Sequence, residues 1–219
     1  MKLSNYKTIV FDCDGVLLNS NHIKSEAFYK VALQYGENFA EELLAYHKEN
    51  GGISRFEKFR YFFSSIIGET TDEYQIIKLI EAYGNIVRQQ LLSCDETIGM
   101  QKFMRGLPLS IKRIVVSGGM QKELREVFVK RGFQVYFDAI YGSPDTKTEI
   151  LNREIKNGLI TRPVAFLGDS RLDYEVASEF KFDFIFISDY TEFANWQDFF
   201  KDKRVNVFKN LKELANMQK

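Results

Sequence analysis

The sequence is poor in cysteine and histidine. Its 219 residues include 2 cysteines, Cys13 and Cys94, and 2 histidines, His22 and His47. Two cysteines are too few for the disulfide scaffold of a small secreted domain, so we expect a protein of the reducing cytoplasm. Two histidines argue against a histidine-rich zinc site, so any metal site is expected to use carboxylate oxygens and a hard cation.

The sequence also lacks net charge and long apolar runs. The 30 lysines and arginines balance the 30 aspartates and glutamates, which leaves no electrostatic footprint for nucleic acid or for an anionic membrane. No apolar run reaches the roughly 18 residues of a membrane-spanning helix, and we expect no signal peptide before Thr8. We therefore expect neither a nucleic-acid nor a membrane partner. The length and the 45% hydrophobic content suffice for one sizeable core and a smaller lobe.

Proline is rare, and its distribution divides the chain. The 3 prolines, Pro108, Pro144 and Pro163, all lie in the second half. Residues 21–92 contain none, and their apolar residues recur at helical spacing, which predicts four helices. After Pro108, short apolar runs alternate with amphipathic stretches, which predicts strands and helices in turn. The predicted strands are 7–12, 112–117, 136–141, 163–168, 183–187 and 205–208, and the predicted later helices are 120–131, 146–157, 171–180, 192–201 and 210–217.

This alternation predicts an α/β fold with a doubly wound parallel sheet. The first strand lies far upstream of the others, so the helical block must be inserted between the first and second strands of the sheet. We predict a core domain from residues 1–20 and 94–219, and a helical domain from residues 21–93.

Two aspartates stand one residue apart at the end of a predicted strand. Ile9, Val10 and Phe11 form an apolar run typical of a buried parallel strand, and Asp12 and Asp14 follow it. The carboxylates therefore lie at a carboxyl end, where open α/β sheets bind ligands. Carboxylates this close repel each other unless a cation or a proton lies between them. The plainer alternative is a pair that caps the following turn.

Three later stretches carry polar side chains at comparable places. Ser117 and Gly118 end a second strand, Lys147 stands in the first turn of a helix that Thr146 caps, and Asp169 ends a third strand. The helix dipole disfavours a lysine in a first turn, and a bound anion would reverse that penalty. Taken singly, Ser117 fits a local cap equally well, and Lys147 fits a solvated helix residue.

Asp173 has two interpretations that stay open. It stands three positions after Ser170, so the two residues could form an acidic variant of the capping box. It also stands four positions after Asp169, so the two acids could bind a metal together, with Asp173 in the inner or the outer coordination shell. We favour the metal.

In this order, the four stretches resemble the four motifs of the haloacid dehalogenase superfamily of phosphatases. The opening motif, D-x-D-G-x-x-x-x-S, spans residues 12–20, and the resemblance covers residues 8–187. The helical insertion resembles the cap of members similar to phosphoglycolate phosphatase and β-phosphoglucomutase. The resemblance implies a Rossmann-like core and a Mg²⁺-dependent phosphatase that acts on a small phosphorylated metabolite, a sugar phosphate or similar.

The resemblance also implies a role for each motif residue. It makes Asp12 the nucleophile that forms an aspartyl-phosphate, and Asp14 the general acid and base. Ser117 and the N–H of Gly118 would bind the phosphoryl group, and Lys147 would neutralise its charge. The Mg²⁺ ligands would be Asp12, Asp14, Asp169 and Asp173, and Asp14 would bind through its backbone carbonyl.

A further signal lies in the helical insertion, in the sequence GGISRFEK at residues 51–58. Ser54 and Glu57 fit a capping box, so the plainest interpretation is a helix that begins after a glycine hinge. A helix N-terminus that carries Arg55 is also suited to an anion, and it resembles the G-x-S-R cap loop of the β-phosphoglucomutase-like group. The resemblance implies that Arg55 and Lys58 contact the part of the substrate away from the phosphoryl group.

The sequence departs from that group at three places. The opening motif ends in Asn-Ser at residues 19–20 where Asp-Ser is usual, Lys24 rather than His22 stands near the place of a common histidine, and Gly168 replaces a common glutamate. These changes leave hydrolysis intact but weaken the alternative of a phosphomutase.

A phospho-receiver signalling domain also combines acids, a hydroxyl and a lysine, but the chain length, the insertion and the late acid pair argue against it. We expect a monomer or a weak dimer.

Overall fold

Six parallel strands form one sheet in the order β3-β2-β1-β4-β5-β6. The computed structural model describes residues 2–70 and 72–217. The strands are β1 (Thr8–Phe11), β2 (Lys112–Met120), β3 (Ala139–Ser143), β4 (Val164–Gly168), β5 (Asp183–Ile187) and β6 (Asn206–Phe208). The chain moves outward from β1 to β3 on one side and from β4 to β6 on the other. The carboxyl ends of β1 and β4 therefore flank the point where the strand order reverses, which is where such sheets bind ligands.

Helices cover both faces of the sheet because alternate side chains of each strand enter opposite apolar layers. Ile9 and Phe11 belong to one buried cluster, while Val10, between them, belongs to the other. Strands buried on both faces are typical of parallel sheets, so the predicted doubly wound α/β fold is confirmed. The helices of this part are α5 (Met100–Gly106), α6 (Gln121–Lys130), α7 (Lys147–Lys156), α8 (Arg171–Glu179), α9 (Trp196–Phe200) and α10 (Leu211–Asn216).

A helical segment separates β1 from β2, as the sequence predicts. It contains α1 (Asn21–Ala32), α2 (Glu37–Glu49), α3 (Arg55–Tyr61) and α4 (Glu73–Ser93). Its two connections to the sheet lie side by side, because the Asn19 N–H donates to the Asp95 carbonyl at 2.9 Å and the Thr97 N–H donates to the Leu17 carbonyl at 3.0 Å. The segment therefore leaves and rejoins the sheet at one place.

Three elements differ from a predicted bound by more than one residue. The strand predicted at 112–117 continues to Met120 with a shift of register, and the strand predicted at 136–141 begins at Ala139, because residues 134–136 form a 3₁₀ turn. The helix predicted to begin at 192 begins at Trp196. After Tyr61 the third helix continues as a π-helical stretch, Phe62–Ile67. Across the described residues, no helix is both long and apolar enough to cross a membrane.

Candidate active site

Three buried carboxylates meet at the carboxyl ends of β1 and β4. Asp12 follows β1, Asp169 follows β4, and Asp173 lies in the first turn of α8; one oxygen of each lies within 4.8 Å of the others. Burial raises the pKa of Asp12 to about 7 even though the charge of Lys147 opposes the shift. Burial and the charges of Asp12 and Asp173 raise the pKa of Asp169 well above its usual range. Oxygen ligands that gather excess negative charge fit a hard divalent cation.

Lys147 joins two of these carboxylates. Its Nζ lies 2.7 Å from Asp12 Oδ1 and 2.5 Å from Asp173 Oδ1. The predicted capping box of Thr146 and Glu149 is present, and it fixes the start of α7 and thereby the position of Lys147. Burial alone would lower the lysine pKa, but the charges of Asp12 and Asp173 outweigh it and raise that pKa. Lys147 therefore remains an ammonium beside Asp12.

Asp173 forms the capping box, which is one of the two interpretations that the sequence left open. Its Oδ2 accepts hydrogen bonds from the Ser170 backbone N–H at 3.2 Å and from the Ser170 hydroxyl at 2.6 Å, which completes a capping box at the start of α8. Its Oδ1 accepts from Lys147. The carboxylate thus begins a helix and lies within the acid cluster at the same time.

Asp14 is held apart from the cluster. Its Oδ1 accepts from the Ser20 hydroxyl at 2.6 Å, and its Oδ2 pairs with Lys24. Burial would raise the pKa of Asp14, but the charge and hydrogen bond of Lys24 lower it. Gly15 makes the turn at φ 74°, and a Cβ there would lie 2.2 Å from Asp169 Oδ2. The glycine therefore allows the turn after Asp14 to pass close to Asp169.

Ser117 and Gly118 lie where the helical segment touches the sheet. Ser117 is fully buried, and its hydroxyl accepts a hydrogen bond from the Gly119 N–H at 3.0 Å. A Cβ on Gly118 would lie 2.1 Å from the Gly52 carbonyl oxygen. Only glycine permits this approach between β2 and the loop before α3.

Arg55 and Lys58 both point into the protein from α3. Ser54 caps this helix by accepting from the Glu57 N–H at 3.3 Å, which is one half of the predicted capping box. The Arg55 guanidinium binds both carboxylate oxygens of Glu123 on α6, at 2.9 and 2.5 Å, and lies 4.5 Å from the Tyr83 ring centroid. Lys58 is 1% exposed. Of the two residues predicted to contact the substrate, Arg55 is therefore already paired with a carboxylate within the protein.

Other polar residues reach the site without having been predicted. The Asn21 amide donates to Asp169 Oδ2 at 2.7 Å and to the Tyr190 carbonyl at 2.8 Å. Thr191 donates to the Asp169 carbonyl, which explains why α9 starts later than predicted. Lys24 faces Asp14, whereas His22 is exposed. Asn21 directly follows the opening motif, which is a usable sequence signal. Thr191 follows the fifth predicted strand, and no motif marks it.

These side chains surround a cavity between the sheet and the helical segment. Its volume is about 50 Å³, which is room for only a few water molecules. Its walls include residues from the opening motif, from the helical segment and from the end of β2: Asp12, Asp14, Lys24, Arg55, Lys58 and Gly118. The cavity therefore brings the predicted catalytic acids and the predicted substrate contacts together.

A family model described as haloacid dehalogenase-like hydrolase matches residues 9–187. Among curated proteins, no sequence matches the chain significantly. Many solved structures share its fold.

A Lactobacillus plantarum protein provisionally named phosphoglycolate phosphatase is 16% identical with a TM-score of 0.74, and the match covers 99% of this chain and 100% of that one. A predicted phosphatase from Clostridium acetobutylicum is 16% identical with a TM-score of 0.75, over 97% of each chain. A Bacteroides vulgatus protein provisionally named β-phosphoglucomutase is 15% identical with a TM-score of 0.75, over 97% of this chain and 87% of that one. At these identities the likeness shows a shared fold.

Proposed function

The chain belongs to the haloacid dehalogenase-like hydrolase family, and we propose that it is a Mg²⁺-dependent phosphatase of a small phosphorylated metabolite, a sugar phosphate or similar. The observation that carries the proposal is the position of Asp12. Its carboxylate lies against the Lys147 ammonium and within 4.8 Å of two further acids. An aspartate that is both buried and charge-compensated suits nucleophilic attack on phosphorus.

The proposed reaction has two steps. An Asp12 carboxylate oxygen bonds to phosphorus while the ester P–O bond breaks, and Asp14 gives a proton to the departing oxygen. Asp14 then takes a proton from water, the water oxygen bonds to phosphorus, and the Asp12 O–P bond breaks to release inorganic phosphate. Ser20 and Lys24 fix the orientation of Asp14 for both proton transfers. General acid and base catalysis of this kind contributes roughly 10²–10⁴-fold.

The remaining motif residues would bind the phosphoryl group. Lys147 would offset negative charge as the phosphoryl group moves to Asp12, and Ser117 with the Gly118 N–H would donate to its oxygens. The residues that fit Mg²⁺ are Asp12, Asp169 and Asp173, with the backbone carbonyl of Asp14. When bound, the ion would supply electrostatic stabilisation of the transferring phosphoryl group.

In this proposal, residues 21–93 form a cap domain over the core formed by residues 1–20 and 94–219. The close approach of Gly52 to Gly118 supports that arrangement, because it brings the helical segment against the core next to the predicted phosphoryl site. A closed cap excludes bulk water while the aspartyl-phosphate forms. Both cysteines are free thiols, which fits the proposed cytoplasmic location, and a monomer or weak dimer completes the proposal.

The test is phosphate release from a panel of phosphorylated metabolites with Mg²⁺ present. Asp12→Asn should reduce turnover by roughly 10⁴–10⁶-fold, because the nucleophile is lost, and EDTA should silence the wild type reversibly. Asp202→Asn, at an exposed acid distant in sequence from every motif, is the matched control. Isomerised phosphate esters in place of free phosphate would indicate a phosphomutase. Undiminished turnover in Asp12→Asn would exclude Asp12 as the nucleophile.

A further inference from the structure

Lys58 is a buried lysine on the wall of the cavity. It extends from α3, is 1% exposed, and lines the same cavity as Asp12 and Asp14. Its ammonium contacts His47 twice, at 2.6 Å from Nδ1 and at 3.3 Å from the backbone carbonyl oxygen. Neither partner is an anion. An ammonium carries three N–H donors, so these two contacts leave one donor for a ligand.

The other buried cations of the cavity already have carboxylate partners. Lys24 pairs with Asp14, and Arg55 pairs with Glu123. Glu192 also lines the cavity, but its Oε2 accepts from the Ser25 hydroxyl at 2.6 Å and lies 3.8 Å from His47 Nε2. Among these three cations, Lys58 is the one that lacks a bonded carboxylate.

The surroundings of Lys58 make its charge costly. Burial and the nearby Lys24 lower the pKa of Lys58 to about 7. Burial together with Lys58 and Lys24 holds the pKa of His47 well below its usual range, so His47 stays neutral and accepts from Lys58 through Nδ1. An incoming anion would pair with the ammonium and reduce this cost, as opposite charges do at short range.

We propose that Lys58, positioned by His47, binds a second anionic group of the substrate. The substrate is then a phosphate monoester that also carries a carboxylate or a second phosphate, and not a neutral sugar or alcohol phosphate. This inference rests on the proposed phosphatase function. Lys58 takes the role of distal contact, and Arg55 anchors α3 to α6.

Two pairs of esters test the proposal. 3-Phosphoglycerate is compared with glycerol 3-phosphate for the carboxylate, and propane-1,3-diol bisphosphate with 3-hydroxypropyl phosphate for the second phosphate. The wild type should favour the anionic member of one pair by roughly 10–150-fold in kcat/KM, the effect of one charge-assisted hydrogen bond. The favoured pair identifies the anion. In Lys58→Met the ratio of kcat/KM between the two members of the pair should fall toward one. Lys102→Met, at an exposed lysine of α5 outside the cavity, should retain the wild-type ratio.

Equilibrium binding supplies a measurement that does not need turnover. The same esters are titrated by calorimetry into Asp12→Asn and into Asp12→Asn combined with Lys58→Met, and Lys58→Gln replaces Lys58→Met if the latter does not fold. Tighter binding of the anionic ester that disappears without Lys58 supports the proposal. Equal binding of both members of each pair, or a preference that survives the loss of Lys58, overturns it. Absence of phosphate release from every ester would contradict the phosphatase proposal separately.

Discussion

At the scale of single residues, the two acids of the opening motif differ because their partners differ. Asp12 shares Lys147 with Asp173 and has a raised pKa, of about 7, because it is buried. Asp14 has a lowered pKa because Lys24 and Ser20 bind its carboxylate. Two acids one residue apart thus occupy opposite electrostatic environments.

Asp14→Asn is expected to slow both formation and breakdown of the aspartyl-phosphate, by roughly 10²–10⁴-fold, because the amide neither donates the needed proton nor accepts one from water. Rapid-quench measurement of phosphoenzyme and of free phosphate separates the two steps. Asp12→Asn is the control that should form no phosphoenzyme. If Asp14→Asn slows neither step, Asp14 is not the acid and base; a phosphoprotein that persists in the wild type would instead favour a receiver.

Lys58→Met is expected to raise the melting temperature at pH 6 and to lose that gain toward pH 10. The pKa of Lys58 is lowered from 10.5 to about 7 in the folded protein. Between these pH values the unfolded chain binds more protons than the folded protein, so the stability of the wild type rises with pH. Below about pH 7 Lys58 is charged in both states, and the full cost of burying its charge remains. Thermal melts of the ligand-free protein across this range measure the difference. A gain in melting temperature that does not depend on pH would show that the buried charge of Lys58 is not its cause.

At the scale of elements, two ion pairs attach the helical segment to α6. Arg55 and Glu123 are 4% and 15% exposed, whereas Arg88 and Glu126 are 52% and 29% exposed. Removal of one partner from a buried pair leaves an uncompensated charge, which costs about 3–5 kcal/mol. Exposed pairs contribute about 0–1 kcal/mol. The buried pair is therefore the main electrostatic attachment of α3.

A double-mutant cycle of Arg55→Met and Glu123→Gln should give a coupling free energy above about 1 kcal/mol in denaturant unfolding. The cycle of Arg88→Met and Glu126→Gln is the matched control on the same helix, α6, and should give less. Equal coupling in the two cycles would show that burial does not strengthen the Arg55 pair.

The sequence predicts elements better than it predicts their partners. The order of strands and helices, the insertion after β1 and the capping box before Lys147 follow from local patterns, which is why they were predictable. The pairing of Arg55 with Glu123 joins residues 68 positions apart, and no local pattern encodes such a contact. The late start of α9 has the same cause, because Thr191 bonds to Asp169 across the site.

At the scale of the whole molecule, the proposed Mg²⁺ site predicts that stability depends on the cation. We expect saturating Mg²⁺ to raise the melting temperature by several degrees, because a ligand at 100 times its dissociation constant adds about 2.7 kcal/mol and a chain of this size gains about 2–4 °C per kcal/mol. Asp169→Asn should abolish the rise, and Asp202→Asn should retain it. Differential scanning calorimetry with and without EDTA measures both. An equal rise in Asp169→Asn would place the ion elsewhere.

The position of β1 in the middle of the sheet also sets the order in which the protein can fold during synthesis. Thr8 pairs with Lys112 on one side and with Val164 on the other. The second pairing spans 156 residues (164 − 8), which takes about 8–30 s at the usual rate of translation of about 5–20 residues per second. β1 therefore waits for β4, its second neighbour in the sheet, while the intervening chain emerges. A chaperone that binds short apolar segments would be expected to protect this strand on the ribosome.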